Sequence, residues 1–194
     1  MPKIVDHEYR KKEIAEATWR VILTQGMEGV SVRNIAREAG LSLGALRHYF
    51  SSQDELLLYT MNLVKERATA RIVEIANSDL PPKEKVLQIC LELIPATETT
   101  RAEMEVWFAF TFYLRQKREW YHAHFDGVYN GIQMIMKYME QNRLLRDGLE
   151  LEVETEKLYA LIDGLAIHAL LDPDRLQKEN ILAVLTNYLN RLWK

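Results

Sequence analysis

Helical periodicity with few interruptions is the feature that most restricts the fold of this chain. The 194 residues include eight glycines and five prolines, and apolar residues recur at spacings of three and four over long stretches. Both properties favour α-helices over strands. We therefore expect an all-α protein with about nine helices, at approximately residues 8–25, 32–39, 43–48, 55–75, 83–94, 101–117, 119–142, 152–171 and 176–192.

The composition is sufficient for a buried core. Hydrophobic residues make up 48% of the chain and charged residues 27%, as in ordinary globular proteins. The single cysteine, Cys90, excludes an intrachain disulfide, and no long uncharged apolar run is present. We expect a cytoplasmic protein with no signal segment and no membrane partner.

Charge is distributed unevenly along the chain. The formal net charge is -3, but residues 1–50 carry eight Lys and Arg against six Asp and Glu, while the remainder carries seventeen against twenty-two. DNA is polyanionic, so a nucleic-acid partner would favour the first part of the chain.

Two short helices joined by a tight turn are predicted within residues 31–50, SVRNIAREAGLSLGALRHYF. Ser31 and Ser42 can cap the two helix N-termini, and Gly40 can take the left-handed conformation that ends the first helix. This arrangement matches a helix-turn-helix, although a helical corner without any DNA-binding role has the same pattern.

The outward side of the second helix suits a DNA groove. Gly44 and Ala45 are small, which lets a helix lie deep in a major groove roughly 12 Å wide. Arg47 and His48 can reach base edges or phosphates, and the Tyr49 hydroxyl can reach a phosphate. Capped helix N-termini also favour phosphate oxygens.

The segment around residues 10–60 resembles the DNA-binding domain of the TetR family of transcriptional regulators. The residues that carry the resemblance are Gly26, Val30, Ser31, Val32, Arg33, Ile35, Ala36, Ala39, Gly40, Leu41, Ser42, Gly44, Leu46, Tyr49, Phe50, Glu55 and Leu56. The resemblance implies a DNA-binding domain over residues 1–52 and an effector-binding and dimerisation domain over residues 53–194.

Two residues depart from the family pattern. Arg47 stands where the family commonly has Tyr, and Gln53 stands where it often has a Lys that contacts a phosphate. Gln53 can still donate a hydrogen bond, but it carries no charge. The candidate DNA-binding residues are Lys11, Ser31, Arg33, Ser42, Leu43, Gly44, Ala45, Arg47, His48, Tyr49 and Gln53.

Residues 158–176, LYALIDGLAIHALLDPDRL, are similar to the BetI-like subgroup of that family. In such proteins the last two helices pair with those of a second subunit, so a homodimer is implied. Two apolar stripes agree with this role, but they can also be internal core. The candidate interface residues are Leu158, Leu161, Ile162, Leu165, Ala169, Ile181, Leu185, Tyr188 and Leu192, with Gly164 and Ala166 permitting close helix approach.

Aromatic residues are dense between positions 104 and 129, and they point in too many directions for one core stripe. The family resemblance implies an effector pocket here. The candidate ligand-binding residues are Trp107, Phe108, Phe110, Tyr113, Phe125 and His168. His168 is otherwise a core or interface histidine.

Two carboxylates, Glu103 and Glu105, precede this aromatic segment. Beside aromatic rings they can hold a cationic ligand. Alternatively, they form a solvated first helical turn. We therefore expect a mainly apolar effector, or a cationic one if either carboxylate faces it.

No pattern in the sequence indicates a catalytic group, a metal site or a cofactor. His122 and His124 are two residues apart, so they point to different sides of a helix. The function we expect is a ligand-responsive regulator, a repressor that binds a palindromic DNA operator as a dimer and is released by a small effector. The alternatives are a helical enzyme and a helical interaction module without DNA binding.

Overall fold

The computed structural model describes residues 7–115 and 127–194, apart from the side chain of Leu114. These residues form nine α-helices and one short 3-10 turn, and their one strand-like pairing is an isolated bridge between Leu145 and Trp193. The all-α prediction is confirmed. The helices are α1 (His7–Gln25), α2 (Val32–Glu38), α3 (Leu43–Tyr49), α4 (Gln53–Asn77), α5 (Pro82–Glu92), α6 (Glu98–Arg115), α7 (Gly127–Gln141), α8 (Leu151–Leu171) and α9 (Lys178–Leu192).

The described residues separate into two compact units. The first takes in residues 7–67 and 105–115, and the second takes in residues 68–104 and 127–194. Helices α4 and α6 contribute residues to both. The domain boundary that we expect between residues 52 and 53 stays a prediction, since the units are defined by packing and the predicted domains by function.

Helices α1, α2 and α3 build the core of the first unit. The apolar stripe of α1 is buried and consists of Ile14, Ala17, Val21 and Ile22. Ile35 of α2, Leu46 of α3 and the following Phe50 are also buried, each with at most 2% of its surface exposed. Because α2 and α3 have seven residues each, they are too short to be stable alone, and this shared core holds them.

Helices α5, α7, α8 and α9 bury the core of the second unit. Its side chains include Val86, Cys90, Ile132, Met139, Leu158, Ile162, Ile181 and Leu185. Prolines 81 and 82 stand where α5 begins, as expected for a residue type that fits the first helical turn. Among the described helices, none is long and apolar enough to cross a membrane.

The two stripes predicted as a dimer interface lie in this core. Seven of the nine residues are buried within the single chain: Leu158, Ile162, Leu165, Ala169, Ile181, Leu185 and Leu192. Leu161 and Tyr188 are partly buried against the same core. Residues buried in one chain have little surface left for a partner, which favours the alternative of internal core for these seven, and the predicted interface set stays a prediction. Any dimer contact on α8 and α9 must use their outward sides.

Candidate DNA-binding surface

Side-chain caps and a glycine turn fix the corner between α2 and α3. The Ser31 Oγ accepts a hydrogen bond from the Asn34 N–H at 3.2 Å, and the Ser42 Oγ accepts one from the Ala45 N–H at 3.1 Å. Gly40 has φ 64°, and the next N–H, from Leu41, donates to the Ala36 carbonyl at 2.8 Å. These bonds satisfy helix-end groups and set the direction in which α3 leaves the turn.

Helix α3 has a buried side and an exposed side. Leu46 points into the core and is 1% exposed. The residues that lie exposed are Ser42, Leu43, Gly44, Arg47 and His48, and Arg33 is exposed on α2. Most of the predicted DNA-binding set is therefore accessible to a partner. On α3, Gly44 and His48 lie opposite the buried anchor, while Leu43 and Arg47 lie beside it.

Gly44 has no structural reason within the protein to be glycine. A Cβ added there meets no atom within 4 Å, and the residue does not have the positive φ that excludes other side chains. Glycine inside a helix costs about 0.5–1 kcal/mol relative to alanine. The presence of glycine at position 44 is explained if another molecule approaches the backbone of α3 closely.

An aromatic cluster closes the C-terminal end of α3. The ring centroid of His7 lies 4.8 Å from that of Tyr49 and 6.0 Å from that of His48, and the His48 and Tyr49 centroids are 5.3 Å apart. Tyr49 therefore packs against α1, which holds its ring at the edge of the exposed side. His7 was not among the predicted residues, because a histidine in the first turn of a helix gives no sign of a partner 42 positions later.

Lys11 is placed differently from our expectation of a phosphate contact. Its Nζ lies 5.7 Å from the ring centroids of both Phe50 and Tyr59 and 3.8 Å from the Glu8 Oε1, and only 21% of its side chain is exposed. The ammonium group is directed at aromatic faces, which attract cations. Lys11 thus packs over Phe50 at the end of α3, and its role in DNA binding stays a prediction.

Gln53 also has a partner inside the chain. Its Nε2 donates to the Val30 carbonyl at 3.2 Å, which ties the start of α4 to the residue before the α2 cap. Ser52 caps α4, accepting from the Glu55 N–H at 3.1 Å. The Glu55 carboxylate accepts instead from the N–H and Oγ of Ser51, and these bonds lower its pKa.

Four of the six predicted ligand-binding residues lie in the first unit, on α6. Phe110 is buried, Trp107 and Phe108 are half-buried, and Tyr113 donates to the Asp54 Oδ1 at 2.9 Å. His168 is exposed on α8 in the second unit. Phe125, like His122 and His124, lies outside the described residues.

The two acidic residues before the aromatic segment have different environments. Glu105 is exposed, but Glu103 is 5% exposed and is neither solvated nor available to a cation. It accepts from Arg71 at 2.9 Å, and Arg71 also pairs with Glu92 at 2.7 Å, all within the second unit. These acceptors raise the pKa of Arg71. The Trp107 face likewise has a cation already, since the Lys65 Nζ lies 5.5 Å from its centroid.

Within residues 7–115 and 127–194, no group of three or more His, Cys, Asp or Glu side chains is arranged to hold a metal ion. What the described geometry offers is an exposed, capped helix with cationic and small residues.

Comparison with known families agrees with that geometry. Residues 14–60 match the family described as bacterial regulatory proteins, tetR family, and residues 82–194 match the BetI-type transcriptional repressor, C-terminal. The chain belongs to the TetR family of transcriptional regulators. The resemblance read from the sequence is confirmed in both halves. This TetR-family member is a transcriptional regulator rather than an enzyme.

Relatives of the regulator extend over nearly its whole length. It is 56% identical to the HTH-type transcriptional regulator PksA of Bacillus subtilis (strain 168) over 192 residues, covering 99% of this chain and 94% of the relative. It is 26% identical over 200 residues to the HTH-type transcriptional regulator BetI of Vibrio campbellii, covering 98% and 96%.

Solved structures share the fold of the regulator. A transcriptional regulator from Saccharomonospora viridis, solved in complex with choline, matches with TM-score 0.83 at 22% identity and covers 96% of this chain and 99% of that one. NalD, the secondary repressor of the MexAB-OprM multidrug efflux pump in Pseudomonas aeruginosa, matches with TM-score 0.70 at 25% identity, covering 97% and 98%.

We predict that Gly44→Ala separates stability from DNA binding in this TetR-family regulator. The free energy of unfolding should rise by at most about 0.5–1 kcal/mol, because alanine is favoured over glycine in a helix and has open space at this first-turn position. Affinity for a duplex selected from a random pool should fall by about tenfold, or ~1.4 kcal/mol. Urea unfolding and fluorescence anisotropy measure the two quantities.

Gly131→Ala is the matched control for that change. Gly131 also lies inside a helix, α7, and a Cβ there also meets nothing within 4 Å. It should stabilise the regulator similarly and leave DNA affinity unchanged. Equal DNA affinity of Gly44→Ala and the parent protein would contradict a close approach at Gly44.

Proposed function

We propose that this regulator is a ligand-responsive repressor that acts in the cytoplasm as a homodimer on a palindromic DNA operator. A small effector releases it from the operator. The observation that carries the proposal is the exposed side of α3, which combines a small apolar first turn with Arg47 and His48 in its last turn. The BetI-type repressor match over residues 82–194 supports repression rather than activation.

Contacts to DNA divide into base readers and phosphate ligands. Arg47 is exposed in the last turn of α3, and a guanidinium can bond guanine O6 and N7 together. Arg33 is exposed in the first turn of α2, beside a helix N-terminus that itself favours phosphate. Each subunit would place α3 in a major groove, with half-sites roughly 34–36 Å apart or a multiple of that distance.

We predict different consequences for the two arginines. Arg47→Ala should remove preference at one base position, by about 1–3 kcal/mol. Arg33→Ala should weaken binding to all duplexes alike and lower the slope of log affinity against log salt by about one. Gel shifts over a salt series on single-base operator variants measure both. A uniform, salt-sensitive loss for Arg47→Ala would make it a phosphate ligand.

The outward sides of the last two helices are the proposed dimer interface. Large apolar residues remain exposed there in the single chain: Val153, Ile167 and Leu171 on α8, and Leu182 and Val184 on α9. Gly164 lies on α8 between them, and a Cβ at that position meets nothing within 4 Å. Because glycine has no side chain, an apolar side that includes Gly164 permits close packing of a second helix pair. Ala166, by contrast, is buried within the chain.

We predict that Leu171→Asp makes the regulator monomeric at micromolar concentration. Leu171 is 77% exposed, so the carboxylate is solvated in the monomer but would be desolvated in a dimer. Light scattering coupled to gel filtration measures the mass. Met134→Asp on α7, where Met134 is 70% exposed, is the control and should stay dimeric. A dimeric Leu171→Asp would place the interface elsewhere.

The aromatic residues of α6 in the first unit are the proposed effector contacts. Trp107 and Phe108 are half-buried, so each presents part of a ring. Two of the three features that could attract a cation already have partners, since Lys65 lies over Trp107 and Arg71 neutralises Glu103, and the third, Glu105, is exposed. We therefore propose a mainly apolar effector and set the cationic one aside.

Tyr113 is the proposed link between effector and DNA. Its hydroxyl binds Asp54, four residues after Phe50 at the end of α3. An effector that displaces the Tyr113 side chain would release the start of α4. The effector can act only if it binds the DNA-free form of the regulator more tightly than the DNA-bound form, by about 1–3 kcal/mol for typical coupling.

We predict that Tyr113→Phe weakens this coupling. For the parent protein, operator DNA should reduce the affinity of an active effector by the same factor by which the effector reduces operator affinity. In Tyr113→Phe that factor should fall several-fold. Titrations of a panel of apolar compounds by tryptophan fluorescence, with and without operator, give the ratio.

The control for this measurement is Tyr129→Phe, which removes a hydroxyl bonded to Glu156 in the second unit. It should preserve the coupling. An unchanged coupling factor in Tyr113→Phe would exclude the Tyr113–Asp54 bond as the link.

A further inference from the structure

The exposed side of α3 has two ends of different chemistry. The last turn presents Arg47 and His48, which can form hydrogen bonds with bases or phosphates. The first turn presents Leu43, Gly44 and Ala45, and none of these side chains has a donor or acceptor. Direct readout by this turn cannot therefore use side-chain hydrogen bonds.

Leu43 is the largest side chain of that first turn. It is 38% exposed, whereas Leu46, one turn further on, is 1% exposed. Leu43 therefore contributes only part of its surface to the core. The missing side chain of Gly44 leaves open space beside it, so a partner that reaches the helix backbone also reaches the Leu43 methyl groups.

The neighbouring Ser42 precedes this turn as its cap. Its Oγ accepts from the Ala45 N–H with one lone pair, and its O–H can still donate to a phosphate. The cap also fixes the first turn, so the Leu43 Cα keeps a defined position relative to Arg47 one turn later. An apolar side chain held at a fixed position can distinguish grooves by their shape and by the methyl groups that line them.

The major groove presents one apolar feature that varies with sequence. Thymine carries a C5 methyl group, while the edges of the other three bases present donors and acceptors. An apolar side chain gains from contact with that methyl group and leaves the polar edges of other bases without a partner.

We infer that Leu43 is a specificity-determining residue that selects thymine by contacting its C5 methyl group in each operator half-site. The inference rests on the proposed operator binding by α3. Leu43 is then a second residue, besides Arg47, that distinguishes one base from another. It lies one helical turn from Arg47 and acts without hydrogen bonds.

The test replaces single thymines with deoxyuridine in a duplex selected from a random pool by the full-length protein. Deoxyuridine keeps every hydrogen-bonding group of thymine and removes only the methyl. At one thymine in each half-site, the replacement should reduce affinity about fourfold, as expected for burial of one methyl-sized group. The other thymines should show little change.

Leu43→Ala completes a double-mutant cycle. This variant should bind the thymine and deoxyuridine duplexes with equal affinity, since the partner of the methyl group is gone. Leu23→Ala is the matched control, because Leu23 is 37% exposed in the same unit but lies on α1. It should keep the fourfold discrimination. Thermal melting verifies that both variants are folded.

Two results would overturn the inference while leaving operator binding intact. One is a parent protein indifferent to deoxyuridine at every position of a duplex that it binds. The other is a Leu43→Ala variant that still discriminates thymine from deoxyuridine fourfold. A parent protein that retains no duplex from the pool would overturn the proposed function and this inference together.

Discussion

The burial of Leu46 and Phe50 is the interaction on which the DNA-binding surface depends. Helix α3 has seven residues, and a helix of that length does not persist in water by its own hydrogen bonds. Its exposed side has a defined position only because its opposite side is anchored in the core that α1 and α2 share. Lys11 reinforces the anchor by lying over the rings of Phe50 and Tyr59. A residue that resembles a DNA contact in the sequence thus also packs against the anchor of α3.

The start of α4 is tied to the rest of the first unit on two sides. Gln53 bonds the carbonyl of Val30 just before α2, and Asp54 accepts the hydroxyl of Tyr113 from α6. Phe50, the anchor of α3, precedes these two residues by only three and four positions. A shift at Tyr113 would therefore reach α3 through a short and well-bonded segment. This connection is why we favour α6 of the first unit as the place where an effector acts.

Helices, caps and turn residues were predictable from the sequence because each depends on neighbours within a few positions. Ser31 and Ser42 cap the helices that they were expected to cap. Periodicity predicted the burial of the stripes on α8 and α9, but it could not say whether the same chain or a second one covers them. The environments of Lys11 and Glu103 could not be predicted, for one reason. Their partners, Phe50 and Arg71, lie 39 and 32 residues away, and a charged residue in a helix gives no sign of such a contact.

Positions where the sequence departs from what stability favours are the best guide to function in this protein. Gly44 weakens a helix that is already short, and the packing around it would accommodate a side chain. Leu43 leaves over a third of its surface in water, at 38% exposure, although its neighbour Leu46 shows that α3 can bury a leucine fully. Natural sequences usually agree with their fold at each level, and they depart from it where function imposes a further requirement. Two adjacent departures on one exposed turn would be explained by a single event, the proposed entry of that turn into a groove lined by polar edges and thymine methyl groups.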